Sequence, residues 1–423
     1  MKLYPTELWD RMHYVFCNFT DRMVHSCLKY DTPVDVEVLK DAMDDLYQAY
    51  PLVHSQFVVN PIKPFWKECS YDRNELVEVH QVSGDVDAEA EAFLTQEIPL
   101  MNKRQFKCAV VTNGTEWVVC FVGNHMCMDG NSLSHAVTTV ISHYNDRLNG
   151  KTPTAKFRRG TRSYDAIYND MKPEDVKAAK KLFSNASPSD KHVITLTPDR
   201  EGDKTFFVKK TVPAEEFAAI RAAAKAQNAT VNDFMAAAYI RALYQTEQFD
   251  PEQPFIVSSA IDLRGRYVKD QNSHGYTNHS TFMPISVPRM GKDMHETLDY
   301  VHQCSTELKN DPYLGLYSLP LLNIAFNYLP HFIGNTLVNL GFSYANTSMS
   351  NIGLMRPEEY ALDGHAPVDA FMTGAAKWKP YIHLSMTTYQ GAATFMFVER
   401  GNQKDYELLT ALMDRIYQNF LEI

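Results

Sequence analysis

The chain has 423 residues, more than one hydrophobic core ordinarily serves, so two domains or half-domains are expected. A hydrophobic share of 45% with 22% charged residues excludes a disordered or fibrous chain. Lys and Arg number 41 against 51 Asp and Glu, a formal charge of −10, and the single basic cluster, Lys156 to Arg162, is too small for nucleic-acid binding to be expected.

A strand is predicted at Val24–Tyr30. Asp35 can cap a helix that carries Val36, Leu39, Met43, Leu46 and Tyr50 at spacings of three and four, and Pro51 ends it. Strands follow at Phe57–Val59, Leu76–Val82 and Phe106–Thr112, with a helix near Val86–Gln96. Asn113-Gly114 turns the chain into an apolar strand, Trp117–Val122. Then comes Gly123-Asn124-His125-Met126-Cys127-Met128-Asp129-Gly130, followed by a helix apolar at Leu133, Ala136, Val137, Val140, Ile141 and Tyr144.

From Leu148 to about Asp203 the chain turns polar. Residues 156–203 therefore read as a linker or crossover between an N-terminal half, 1–155, and a C-terminal half, 204–423. The second half opens with a strand, Thr205–Val212, and two Ala-rich helices, Ala214–Gln227 and Val231–Gln245, the latter with a capping-box pattern from Thr230 to Asp233. A buried strand, Phe255–Ile261, runs into Asp262-Leu263-Arg264-Gly265-Arg266. A strand at Ser280–Val287, a helix at Met294–Lys309, two strands around Gln390-Gly391 and a closing helix, Tyr406–Leu421, complete the pattern. Both halves run strand, helices, strands, which predicts mixed α/β or α+β sandwiches built as two related half-domains. No GxGxxG or Walker loop is present, so a single Rossmann sheet is not expected.

Seven scattered cysteines include no Cys-x-x-Cys pair, which argues against a disulfide framework and a structural zinc site. The opening MKLYPTELWD lacks the apolar run of a secretory leader. Leu321–Phe342, the most apolar stretch, is interrupted by Asn323, Asn327, Pro330, His331 and Asn335, so it is read as a buried helix or channel wall and not as a membrane span. A reduced, cytoplasmic protein is expected.

His125-x-x-x-Asp129-Gly130 sits between a strand and a helix, where a rigid scaffold presents reactive groups. Gly130 is read as permitting a tight turn into the helix. An imidazole with a pKa near 6.5 suits a general base at neutral pH, although a satisfied loop histidine is the bland alternative. A metal pair is disfavoured because further ligands do not stand at metal spacing.

The segment NHMCMDG resembles the HxxxDG signature of the chloramphenicol-acetyltransferase-like superfamily, which includes condensation domains, plant acyltransferases and free-standing alcohol acyltransferases. The resemblance covers nearly the whole chain: Leu39–Phe57, Thr230–Leu243, Asp262–Arg266 and His274–Phe282 are similar to other motifs of that superfamily. Two departures stand out. Asn124 occupies the place where condensation domains usually carry a second His, and the plant enzymes' DFGWG box is missing, with Ser348–Gly353 the nearest late motif. No carrier-protein serine motif is visible, so a free-standing alcohol acyltransferase is the nearer likeness.

That resemblance implies two chloramphenicol-acetyltransferase-like half-domains in a V-shaped monomer, with the site at their interface. It implies acyl transfer from acyl-CoA or an acyl carrier protein to a small alcohol or amine, without a covalent acyl-enzyme and without any cofactor beyond the thioester co-substrate. His125 would be the base. Asp129 would be structural, paired with Arg264 as first choice or Arg266 as second. Asn124, Asn278, Ser350 and Asn351 are candidates to orient substrate or stabilise the oxyanion. Leu314–Phe342 is read as core or as the wall of an acyl or acceptor pocket. O-acylation leads; amide formation and a non-catalytic binding protein of the same fold are the alternatives.

Overall fold

A computed structural model describes residues 2–99, 101–183, 192–270 and 273–422, so part of the expected linker, 184–191, lies outside the described residues. In chain order the first lobe holds β1 (Leu3–Pro5), α1 (Leu8–Val15), β2 (Met23–Tyr30), α2 (Val36–Ala49), β3 (Ser55–Val58), β4 (Phe65–Glu68), β5 (Val77–Gln81), α3 (Val86–Leu94), β6 (Phe106–Thr112), β7 (Trp117–Asn124) and α4 (Gly130–Leu148). After α5 (Pro173–Ala179) the second lobe begins with β8 (Lys204–Val212), α6 (Ala214–Ala226), α7 (Val231–Tyr244), β9 (Phe255–Asp262), α8 (Leu263–Tyr267), β10 (Ser280–Val287) and α9 (Met294–Asn310). It ends with α10 (Leu319–Asn323), α11 (His331–Gly341), β11 (Thr347–Met355), β12 (Asp369–Thr373), β13 (Ile382–Tyr389), β14 (Ala392–Gly401) and α12 (Gln403–Leu421).

Local chemistry accounts for the main elements. The Asp35 carboxylate accepts from the amides of Glu37 and Val38, and α2 then buries Leu39, Met43 and Leu46 in one cluster with Leu133, Val137 and Val140 of α4. Thr230 and Asp233 form a reciprocal capping box at the start of α7. That helix is apolar on all sides because it is buried on all sides, in the core it shares with α9 and α12.

The sheets make two lobes. A five-stranded sheet in the order β12-β2-β7-β6-β5 supports the first, a six-stranded sheet in the order β10-β9-β11-β13-β14-β8 the second, and β1-β4-β3 forms a small third sheet. β12, late in the chain, pairs antiparallel with β2, Ala370 opposite Leu28 and Met372 opposite Ser26. The C-terminal half thus lends an edge strand to the N-terminal sheet. The expected linker is not a free tether: Tyr164, Ile167 and Tyr168 are buried in a cluster with α1 and with Leu316, Leu322 and Tyr344.

Helix α1, for which the sequence pattern gave no expectation, is anchored by a fully buried carboxylate. Asp10 accepts from Trp66 Nε1 at 2.8 Å and from Arg162 Nη2 at 2.6 Å. Asp10→Ala strands both donors, and breaking a buried pair on one side costs about 3–5 kcal/mol. The expected outcome is a large fall in stability in chemical denaturation, with Asp10→Asn, which keeps an acceptor for Trp66, losing less; equal stability of Asp10→Ala and the parent would contradict this anchoring.

Candidate functional site

The end of β7 and the start of α4 deliver the motif. The His125 amide donates to Arg22 O at 2.7 Å, and Met126, Cys127 and Met128 pack into the core below it. Asp129 is the N-cap of α4, its Oδ1 accepting from the Ser132 amide at 2.9 Å. Its Oδ2 accepts from the His279 amide at 3.1 Å and from Arg264 Nη2. Arg264 is fully buried, and its Nε also donates to Asp262 Oδ1 at 3.0 Å. Burial pushes the Asp129 carboxyl up, but the guanidinium beside it and the hydrogen bonds it accepts hold it well below the usual carboxylate range. The pair ties the first lobe to the second.

The segment after Arg264 completes the grip. Asn278 Nδ2 donates to the His125 carbonyl, and Asn278 Oδ1 lies 2.6 Å from His125 Nδ1. A carbonyl only accepts, so the amide nitrogen must face it, and Asn278 must turn its oxygen to the ring. His125 Nδ1 therefore carries the proton and donates it. Nε2 is left with its lone pair.

A cavity of about 380 Å³ opens at this ring, and both lobes line it. His125 and Gly130 come from the first lobe, and Ser258, Leu314, Ser350 and Lys377 from the second. Phe342 also lines it, and Leu322, Phe326 and Val338 join the core, but Leu321, Tyr328, Phe332, Leu337 and Leu340 are exposed, so the apolar stretch is only in part the buried helix or wall expected. Among the described residues no helix is long and apolar enough to cross a membrane, and no group of three His, Cys, Asp or Glu could hold a metal ion.

A model of the condensation-domain family matches residues 20–319. The chain belongs to that family. Solved structures give the same fold for the whole condensation-domain protein. The first condensation domain of the calcium-dependent antibiotic synthetase superposes with a TM-score of 0.69 at 17% identity, covering 99% of this chain and 95% of that one. Trichothecene 15-O-acetyltransferase from Fusarium sporotrichioides gives 0.70 at 12% identity, again over 99% and 95%. A variant starter condensation domain of rhizomide synthetase, in complex with C8-CoA, gives 0.68 at 15% identity over 100% and 95%. At these identities the likeness is one of fold. No curated protein sequence matches the chain significantly.

Several expected site residues stand elsewhere in this condensation-domain protein. Asn124, at the second-histidine place, is fully buried: its Nδ2 donates to Gln105 Oε1 at 2.8 Å and its Oδ1 accepts from the Met126 amide at 2.9 Å, so it holds the loop and offers nothing to a substrate. Arg266 is not a partner of Asp129. Its Nη2 donates to the Lys309 and Asp311 carbonyls, because residues two apart on the short helix α8 point to different sides. Asn351 lines the cavity, but its side chain is spent on Asn232 Oδ1, 2.7 Å away, and on the Gly353 amide across a bulge between β11 and β13. Gly130 enters α4 without a left-handed backbone, so no turn requires glycine; a Cβ there would point at Ile352, at the cavity wall. Ser350 does line the cavity, its Oγ 2.9 Å from His383 Nε2.

Three cavity residues had no motif to announce them. His13 of α1 stacks on His125 with ring centroids 4.2 Å apart and planes 19° from parallel. His383 of β13 bridges Ser350 and Ser348, the latter at 2.7 Å. Lys377 precedes β13 and is buried. Burial lowers the pKa of all three imidazoles; for His125 the Asp129 charge and the Asn278 bond oppose that effect without reversing it.

Arg264→Ala is expected to cost about 3–5 kcal/mol, since it leaves Asp129 buried without a counter-charge, and Asp129→Ala less, because Arg264 keeps its bond to Asp262. The double variant should lose less than the sum, whereas Arg266→Ala should be additive with Asp129→Ala within about 0.5 kcal/mol. Denaturant titrations of the five proteins give these numbers, and coupling of Asp129 to Arg266 would overturn the pairing.

Proposed function

We propose that this condensation-domain protein transfers an acyl group from a thioester donor to an alcohol, with His125 as general base. The observation that carries the reading is the Asn278 clamp, which leaves Nε2 unprotonated at the cavity wall. Nε2 takes the hydroxyl proton as the acceptor oxygen bonds to the thioester carbonyl carbon. The tetrahedral adduct then expels the thiolate, which recovers that proton from Nε2–H. Asn278 Oδ1 accepts from Nδ1–H throughout and so favours the transient imidazolium. Ser350, steadied by His383, is the hydroxyl available to the oxyanion. The donor is read as an acyl-CoA, supported by the fold shared with a domain in complex with C8-CoA, and the acceptor as an alcohol, supported by the fold shared with an O-acetyltransferase.

Thiol release from acetyl-CoA in mixed alcohols tests the reading. His125→Ala should lower the rate by about 10²–10⁴-fold, with a nearly unchanged melting temperature, because the ring faces a cavity; full activity in that variant would end the assignment.

The pH dependence has a definite sign. The His125 pKa is lowered from 6.5, chiefly by burial, so the base is neutral and competent throughout the range above 6.5. The acid limb of kcat/KM should therefore fall below pH 6.5, with protonation of Nε2 abolishing turnover. The same direction governs stability: His13, His125 and His383 stay neutral when folded, the unfolded chain binds more protons once pH drops below 6.5, and stability is lost from there downward. A rate profile with its acid limb above pH 6.5 would contradict the buried-base description.

A further inference from the structure

Two lysines precede β13: Lys377 is buried, and Lys379 is half-buried as a residue although its side chain is largely covered. Lys379 is clasped by Asp203 at 2.7 Å and Asp405 at 2.8 Å. Lys377 has no carboxylate oxygen within 4 Å among the described residues. Its Nζ donates to Tyr344 Oη at 2.9 Å, and both residues line the cavity that holds His125. An ammonium taken out of water needs an anion or a full set of hydrogen bonds, since the desolvation cost is several kcal/mol per ion.

Two buried carboxyls near it accept from backbone amides. Glu399 Oε1 accepts from the His383 amide and Asp21 Oδ1 from the amides of Met23 and Ala376. Burial raises the pKa of Asp21 and of Glu399, and the charge of Lys377 is among the effects that pull both back down. The charge of Lys377 is also felt inside the cavity, where it contributes to lowering the pKa of His13, His125 and His383.

We infer that Lys377, together with the Tyr344 hydroxyl, is a recognition site for an ionised carboxylate carried by one of the two molecules that meet at His125. Lys377 Nζ and Tyr344 Oη–H supply two donors, enough for the two oxygens of one carboxylate. A cavity of about 380 Å³ with largely apolar aromatic and aliphatic walls suits a short carbon chain that ends in such a group. The substrate class is thus either a dicarboxylic acid esterified at one end to the thiol or a hydroxy acid as acceptor. That this carboxylate belongs to a substrate rests on the acyl-transfer reading; its chemistry rests on the cavity alone.

Matched pairs test it on the full-length protein: succinyl-CoA against butyryl-CoA as donors, and γ-hydroxybutyrate against n-butanol as acceptors, each followed by thiol release. The carboxylated member of one pair should be preferred at least about tenfold in kcat/KM, the worth of a buried charge-assisted bond. In Lys377→Met that ratio should fall to about one. Which pair responds tells donor from acceptor. Should Lys377→Met fail to fold, Tyr344→Phe replaces it and should reduce the ratio. Calorimetric binding of succinate and γ-hydroxybutyrate to His125→Ala protein separates this proposal from the reaction. Carboxylate binding that Lys377→Met removes upholds the site even where no transfer is detected. Equal use of both members of both pairs, with neither carboxylate bound, overturns it. So does a KM for butyryl-CoA and succinyl-CoA raised alike by Lys377→Met, which would assign the cation to the phosphates of CoA.

Discussion

The site depends on a buried ion pair. Asp129 and Arg264 come from different lobes, each is shielded from water, and the carboxylate accepts three donors at once: Ser132 N, His279 N and Arg264 Nη2. A pair of this kind adds little net stability over apolar packing of the same shape, yet it tolerates no other arrangement, because a shift that separates the charges leaves both buried and unpaired. Its value is therefore positional. Asp129 caps α4 and fixes the loop from His125, while Arg264 opens the short helix after β9, whose partner strand β10 begins two residues past Asn278. The amide clamp on the imidazole is a consequence of the lobes being locked in this register.

That coupling explains which parts of the molecule were legible in the sequence. Elements with their own caps and periodicity, such as α2 behind Asp35 and α7 behind Thr230, fall within a residue or two of where the pattern puts them. β12 is different: five residues with no turn signature, held as an edge by pairing with β2 some 340 positions earlier in the chain. A strand defined by a distant partner has no local signal. The same holds for α1, whose position is set by Asp10 meeting Trp66 and Arg162.

The site divides along the same line. His125 and the carboxylate that caps α4 lie four residues apart and read as a motif, and Arg264 was visible through DLRGR. Arg266 is a fair second guess from sequence, and only the helical geometry of α8 separates the two. Asn124 misleads for a related reason. Its place beside His125 suggests chemistry, but a residue at the end of a central strand has its side chain turned into the sheet's own packing, where Gln105 meets it. His13, Lys377 and His383 arrive from three separate elements and share nothing in sequence except their being polar in apolar surroundings.

Lys377 also bears on why His125 keeps a free lone pair. The ring stacks on a second imidazole and shares its cavity with an ammonium; burial and that ammonium discourage a resident proton on Nε2, while Asp129 favours one. If the Asp129 charge were free, it would draw His125 toward the protonated state and remove the lone pair that the chemistry needs. Arg264 pairs with that carboxylate, and burial outweighs the pull it still exerts on the ring. The ion pair that aligns the lobes thus places a carboxylate four residues from His125 as a scaffold, while burial keeps the imidazole from taking up a second proton.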